Sequence, residues 1–173
     1  MKTILSLLLS TIVLSTTLFS QDAESRLKEK KIVLMSIPNP IGNYVNVVRV
    51  GNLLYLSGKG PLKADSTYVT GKLGKDLTIA QGYEAARLAA IMQLSILKAE
   101  LGSLNKVKRI VKVFGMVNCT EDFKDQPKVI NGYSDLMVDI FGDKGKHARS
   151  AVGMCALPLG MAVEIEMIVE IEE

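Results

Sequence analysis

The sequence predicts an α+β fold, a mixed six-stranded sheet with two helices on one face, and three observations predict it. Three short β-favouring runs crowd the first third of the chain. Two segments with apolar residues at three- and four-residue steps follow, separated by a β-branched alternating run. The chain then closes on "HARSAVGMCALP" and "LGMAVEIEMIVEIEE", two further strand patterns. The order is β-β-β-α-β-α-β-β, and helices grouped this way cover one face of a sheet. At 173 residues the chain is the size of one domain that buries roughly 70% of its unfolded surface.

Residues 1–20, "MKTILSLLLSTIVLSTTLFS", join one early lysine to an apolar stretch diluted by Ser and Thr, with acids only from Asp22 onward. This predicts a signal peptide, hence an exported, periplasmic or secreted protein with no membrane association once the leader is removed. Residues 21–30 carry both charge signs and are expected to be a polar, exposed lead-in, which leaves 31–173 as the domain. Its first strands are "KIVLMSI", "YVNVVRVG" and "NLLYLSG", the last two joined by a tight turn at Gly51-Asn52.

A Gly- and Lys-rich loop ends at Thr78, which with Gln81 forms a capping box. Tyr83, Ala86, Ala90, Leu94, Leu97 and Leu101 then define a helix over 79–101, stopped by Gly102. "NKVKRIVKVFGMVNC" is a strand, with Val107, Arg109, Val111, Val113 and Gly115 on one side. "DFKDQPKVINGYSDLMVDIFG" is the second helix, although Gly132 inside it costs about 1 kcal/mol against alanine. The two closing runs are expected to be neighbouring strands, with Val163, Ile165, Met167, Val169 and Ile171 on one side of the last. Uncovered sheet surface would pack against another subunit, which predicts a symmetric homo-oligomer. Cys119 and Cys155 lack metal-ligand spacing and are expected to be buried as small apolar residues rather than bridged.

The charge of +3, the 5% aromatic content and the absence of Trp exclude a strong nucleic-acid binder and favour no ribonuclease. One constellation carries chemistry. His147, Arg149, Ala151, Gly153 and Cys155 alternate onto one side of a strand, so small residues leave room beside a guanidinium that can take a carboxylate through two parallel hydrogen bonds. Tight packing or a surface ion pair would use the same pattern. Glu164 shares its side with Glu166, Glu170 and Glu172, which solvation explains, yet a carboxylate near an arginine also holds a water or moves a proton when partial burial raises its pKa. His147 either reaches the ligand or is a turn residue at the strand start, and Lys59 either adds positive charge to a cleft or points to water.

"YLSGKGPL", "ARSAVGMCALPLGMAVEIEMIVEI" and the helix-strand-helix between them resemble the RidA/YjgF family, also called the L-PSP endoribonuclease family, with a chorismate-mutase-like fold. The resemblance spans residues 31–173. It implies a homotrimer in which the sheets form a central barrel and three ligand clefts lie between subunits. It also implies hydrolysis of small 2-imino and enamine acids to 2-keto acids and ammonia, without metal or organic cofactor. Carried onto this chain, Arg149 would clamp the carboxylate and Glu164 would activate water. Tyr44, Ser57, Gly58, Lys59, Ala151 and His147 would line the cleft. The deaminase branch has a cysteine where this chain has Ala151, and a glutamine where it has Lys59. The alternative is a non-catalytic trimer binding a small carboxylate metabolite in the same cleft.

Overall fold

The computed structural model describes residues 22–172. The expected leader lies outside the described residues. Three helices, α1 (Ala23–Glu29), α2 (Ile79–Leu101) and α3 (Gln126–Phe141), accompany five strands: β1 (Val47–Val50), β2 (Leu53–Lys59), β3 (Val107–Asn118), β4 (Ala148–Met154) and β5 (Val163–Ile171). The sheet order is β1-β2-β5-β3-β4. β5 runs antiparallel to both β2 and β3, and β4 runs parallel to β3. The architecture is therefore α+β with a mixed sheet, as expected, but with five strands rather than six.

The missing strand is the first one. Residues 32–40 take no regular structure. Ile32, Leu34, Met35 and Ile37 still pack against the core, and the Met35 amide donates to the Ser95 hydroxyl on α2 at 2.9 Å. The apolar run thus pays its burial to a helix, without strand pairing. A second difference lies just upstream, where the expected lead-in is α1. Asp22 caps it through the Ser25 amide, Ala23 and Leu27 are buried, and Glu24 accepts from Lys98 and from the Leu104 amide. Two apolar residues one helical turn apart, with the Glu24 contacts, dock an otherwise charged helix.

The hairpin between β1 and β2 turns at Gly51, whose φ of +57° suits the first turn position where glycine is favoured. α2 begins at the Thr78–Gln81 capping box and ends at Gly102 with φ +74°. Gly132 has a packing reason: a Cβ there would run into the Tyr83 carbonyl, so only glycine lets α3 lie this close to α2. β3 departs from simple alternation. Register shifts near Arg109 and Lys112 bring Val107, Ile110, Val113, Gly115 and Val117 to the core, so Arg109 and Val111 leave the face the sequence assigns them. In β5 the five expected residues, Val163 to Ile171 at alternate positions, are all buried.

The two closing strands are not neighbours, because β3 lies between them. α3 carries the chain from β3 to β4 as a parallel crossover, an arrangement that local patterning does not specify. Both cysteines are free; Cys119 is buried as expected, whereas Cys155 is exposed in the loop after β4.

Candidate functional site

β2 bulges between Leu56 and Lys59 against β5, and the cleft is built at that bulge. Gln93, fully buried on α2, donates to the Ile165 carbonyl at 2.7 Å and reaches the Ser57 carbonyl at 3.4 Å, tying helix, bulge and β5 together. A glycine is required next. A Cβ on Gly58 would sit 2.5 Å from Glu164 Oε1, so the missing side chain is the space the carboxyl occupies.

The resulting cleft has a volume of about 520 Å³. Tyr44, Ser57, Gly58, Lys59 and Glu164 all line it, with Met92 and Met161 among its apolar walls. Of the eight residues expected at the site, five therefore converge. Ser57 spends its hydroxyl hydrogen on the Val45 carbonyl at 2.6 Å, and Lys59 Nζ donates to Asn46 Oδ1 at 2.6 Å, 5.9 Å from the centre of the Tyr44 ring. An ammonium has three hydrogens, so Lys59 keeps donors for the cleft.

Among the described residues, Glu164 and Lys59 are the two charged side chains lining this cleft. Burial pushes the Glu164 carboxyl above its ordinary pKa, repulsion from Glu166 adds to this, and Lys59 pulls the other way. Burial likewise lowers the Lys59 ammonium, against the attraction of Glu164. Each group is thus displaced toward neutrality, as suits proton transfer near pH 7.

Arg149, His147 and Ala151 lie elsewhere in the chain. Arg149 pairs in register with Val113, and Gly115, on the same face as Val113, packs against Ile130 of α3. Arg149 accordingly points to the helical side, where Nη1 donates to Asn131 Oδ1 and Ser134 Oγ, both at 2.9 Å. Glu164 opposes Met116 and lies between the buried Val163 and Ile165, so it projects from the opposite side. Three residues along β3 and two strand spacings also separate them, about 10 Å in each direction. Within one chain the guanidinium and the carboxylate do not meet.

Arg149 and His147 instead border a shallow hollow of about 350 Å³ with Ser134, Val138 and Lys146. His147 holds Gly145 O through Nδ1 at 2.6 Å and Ser134 Oγ through Nε2 at 3.0 Å. Ala151 packs against the core. Sequence reasoning missed Gln93 and Ser134, and it gave Asn131 no role because the family's asparagine could not be aligned with it cleanly. Gln93 left one usable signal, a lone amide in the apolar stretch of a helix; Ser134, at helical spacing from Asn131 on the solvent-facing side of α3, gave none. Among the described residues no group of three or more His, Cys, Asp or Glu side chains is placed to hold a metal.

Comparison with known proteins places this geometry in context. Residues 24–171 match the family described as "YjgF/chorismate_mutase-like, putative endoribonuclease". Protein TCP17 of Trypanosoma cruzi is 41% identical over 148 residues, covering 85% of this chain and 92% of that protein. A 2-iminobutanoate/2-iminopropanoate deaminase of Dermatophagoides farinae is 32% identical over 136 residues, covering 78% of this chain and 91% of its own. Among solved structures, a protein of unknown function from Agrobacterium tumefaciens superposes with a TM-score of 0.80 at 42% identity, over 87% of this chain and 94% of that one.

Proposed function

Since this chain belongs to the YjgF/chorismate-mutase-like family, we propose that it hydrolyses small 2-imino or enamine acids to 2-keto acids and ammonia, in clefts between the subunits of a homotrimer. The observation that carries the reading is the partly buried Glu164 carboxyl, seated against Gly58 in a cleft with apolar walls and displaced upward in pKa. The deaminase among the relatives supports the same chemistry.

The reaction asks little of the protein. The iminium carbon is already electrophilic, so holding one water against it supplies most of what is needed. As the water oxygen bonds to that carbon, the Glu164 carboxylate takes a proton. It returns the proton to nitrogen, and as the C–N bond breaks the hydroxyl gives its proton back to Glu164, so that the carbonyl forms and ammonia leaves, taking that proton away as ammonium. The substrate carboxylate requires a cation, and Arg149 of a neighbouring subunit is assigned to it, because Arg149 of the same chain faces away.

An apolar, exposed rim supports the assembly. Ile41 is 90% and Leu159 67% exposed at the mouth of the cleft, while Val48 and Tyr55 continue the apolar surface across the open face of the sheet. Exposed apolar area of this kind marks a subunit contact. The leader expected over residues 1–20 would carry the domain out of the cytoplasm; N-terminal sequencing of exported protein beginning near residue 21 tests that part.

A coupled assay generating 2-iminopropanoate or 2-iminobutanoate tests the activity. Wild type should accelerate imine loss and Glu164→Gln should not; no acceleration by folded wild type ends the deaminase reading. Ala151 favours a second reading, a carboxylate-binding trimer without catalysis, since the deaminase branch has cysteine there. That reading predicts binding of 2-keto acids with no acceleration.

A further inference from the structure

We propose that Ser134 and His147 are positioning residues, which fix the direction in which Arg149 presents its guanidinium to a carboxylate. The inference rests on the reading of Arg149 as the carboxylate clamp. Arg149 Nη1 gives one hydrogen to Asn131 Oδ1 and the other to Ser134 Oγ. Both hydrogens of that nitrogen are then used. What remains is Nε–H with Nη2, the side-on fork whose two parallel hydrogens match a carboxylate. An arginine near the start of an edge strand, with no such anchors, would spread over many rotamers and lose entropy on each binding event.

The hydroxyl of Ser134 is itself oriented from behind. Gly145 O can only accept, so His147 Nδ1, 2.6 Å away, carries the ring hydrogen. In the neutral ring Nε2 is then an acceptor, and the Ser134 hydroxyl 3.0 Å from it donates. The oxygen lone pairs of Ser134 are left facing Arg149. Hydrogen bonds thus run in a single direction, from Arg149 to Ser134 to His147, while the far side of the ring is pinned to the backbone.

Protonating His147 breaks this sequence. Nε2 becomes a donor, the Ser134 hydrogen must turn away, and a second cation appears beside Arg149. Lys146 also borders the hollow, none of the described residues lining it is a carboxylate, and α3 contributes the uncharged Ser134 and Val138 to it. Lys146 is engaged outside the hollow by Asp143 at 2.7 Å. Burial, and then Arg149 itself, hold the ring below its ordinary pKa despite the Gly145 hydrogen bond, so the neutral form prevails near pH 7.

The test is calorimetric titration of the full folded chain with 2-oxobutanoate, a stable keto acid whose binding needs no turnover. Ser134→Ala should weaken binding about tenfold, as loss of a charge-assisted contact would. Ser134→Thr, which keeps the hydroxyl, should bind as wild type does. His147→Phe should weaken binding like Ser134→Ala, and the double variant should be no worse than either, because the two act in series. On acidification through the His147 pKa, Ser134→Ala should gain affinity from the new positive charge alone, and wild type should gain less because it loses the Ser134 anchor at the same time. Wild-type affinity in Ser134→Ala, with affinity lost in Arg149→Ala, overturns the positioning role and leaves the clamp standing. Unchanged affinity in Arg149→Ala, or no binding by wild type, overturns the clamp and this inference with it.

Discussion

Glu164 is where local packing and chemistry conflict. Its carboxyl is held above the ordinary pKa by burial and by Glu166, so the folded chain binds the proton more tightly than the unfolded chain does. Stability from this group is therefore present at low pH and declines as pH rises from the ordinary carboxylate range through the raised value. Glu164→Gln should flatten that decline and raise the melting temperature at pH 7 while abolishing imine hydrolysis; thermal scans across pH read both slopes. Lys59 pulls the Glu164 pKa down, so Lys59→Gln should let it rise. With the carboxylate as the proposed base, activity should fall as pH drops through its pKa. The acid limb of the rate profile should accordingly move to higher pH in Lys59→Gln, and an unmoved limb would separate the limb from Glu164.

At the scale of elements, signals confined to a few neighbouring residues were legible and signals that depend on distant partners were not. Both ends of α2 follow from Thr78, Gln81 and Gly102, whose side chains or dihedrals close the helix locally. Thr78→Ala should cost about 1 kcal/mol in denaturant unfolding. Gly132 reads as a weakness in α3 until α2 is placed against it. Gly132→Ala should destabilise by about 1–3 kcal/mol, through collision with the Tyr83 backbone, although alanine favours helix. The run at 31–37 has the composition of a strand but packs onto α2, and α1 hides in a charged segment because its only buried residues are Ala23 and Leu27, with Glu24 tied to residues far away in sequence. The phase of β3 was illegible for a similar reason, since its bulges answer to β5. The cleft residues Tyr44, Ser57, Gly58 and Lys59 came from the family resemblance rather than from local patterning, whereas Asn131, Ser134 and Gln93 matter through residues far away in sequence.

At the scale of the molecule, the sheet has one face covered by α2 and α3 and one left open. Val48, Tyr55, Ile168, Lys112 and Ala148 form a row across that open face, apolar apart from the lysine and the tyrosine hydroxyl. Val48 and Tyr55 are 51% and 42% exposed in the single chain, an adjacent apolar pair that the proposed trimer would cover. Tyr55→Asp should shift the mass measured by light scattering from that of the proposed trimer to that of a monomer, and the monomer should lose activity, since each chain alone holds Glu164 and Arg149 on opposite sides of its sheet.

Hybrid trimers test that separation most directly. Arg149→Ala and Glu164→Gln should each be inactive as pure proteins. Unfolded together and refolded, they should regain about a quarter of wild-type imine hydrolysis, because random assembly joins an intact Glu164 to an intact Arg149 across one interface in four. A mixture as inactive as its two parents would contradict the account.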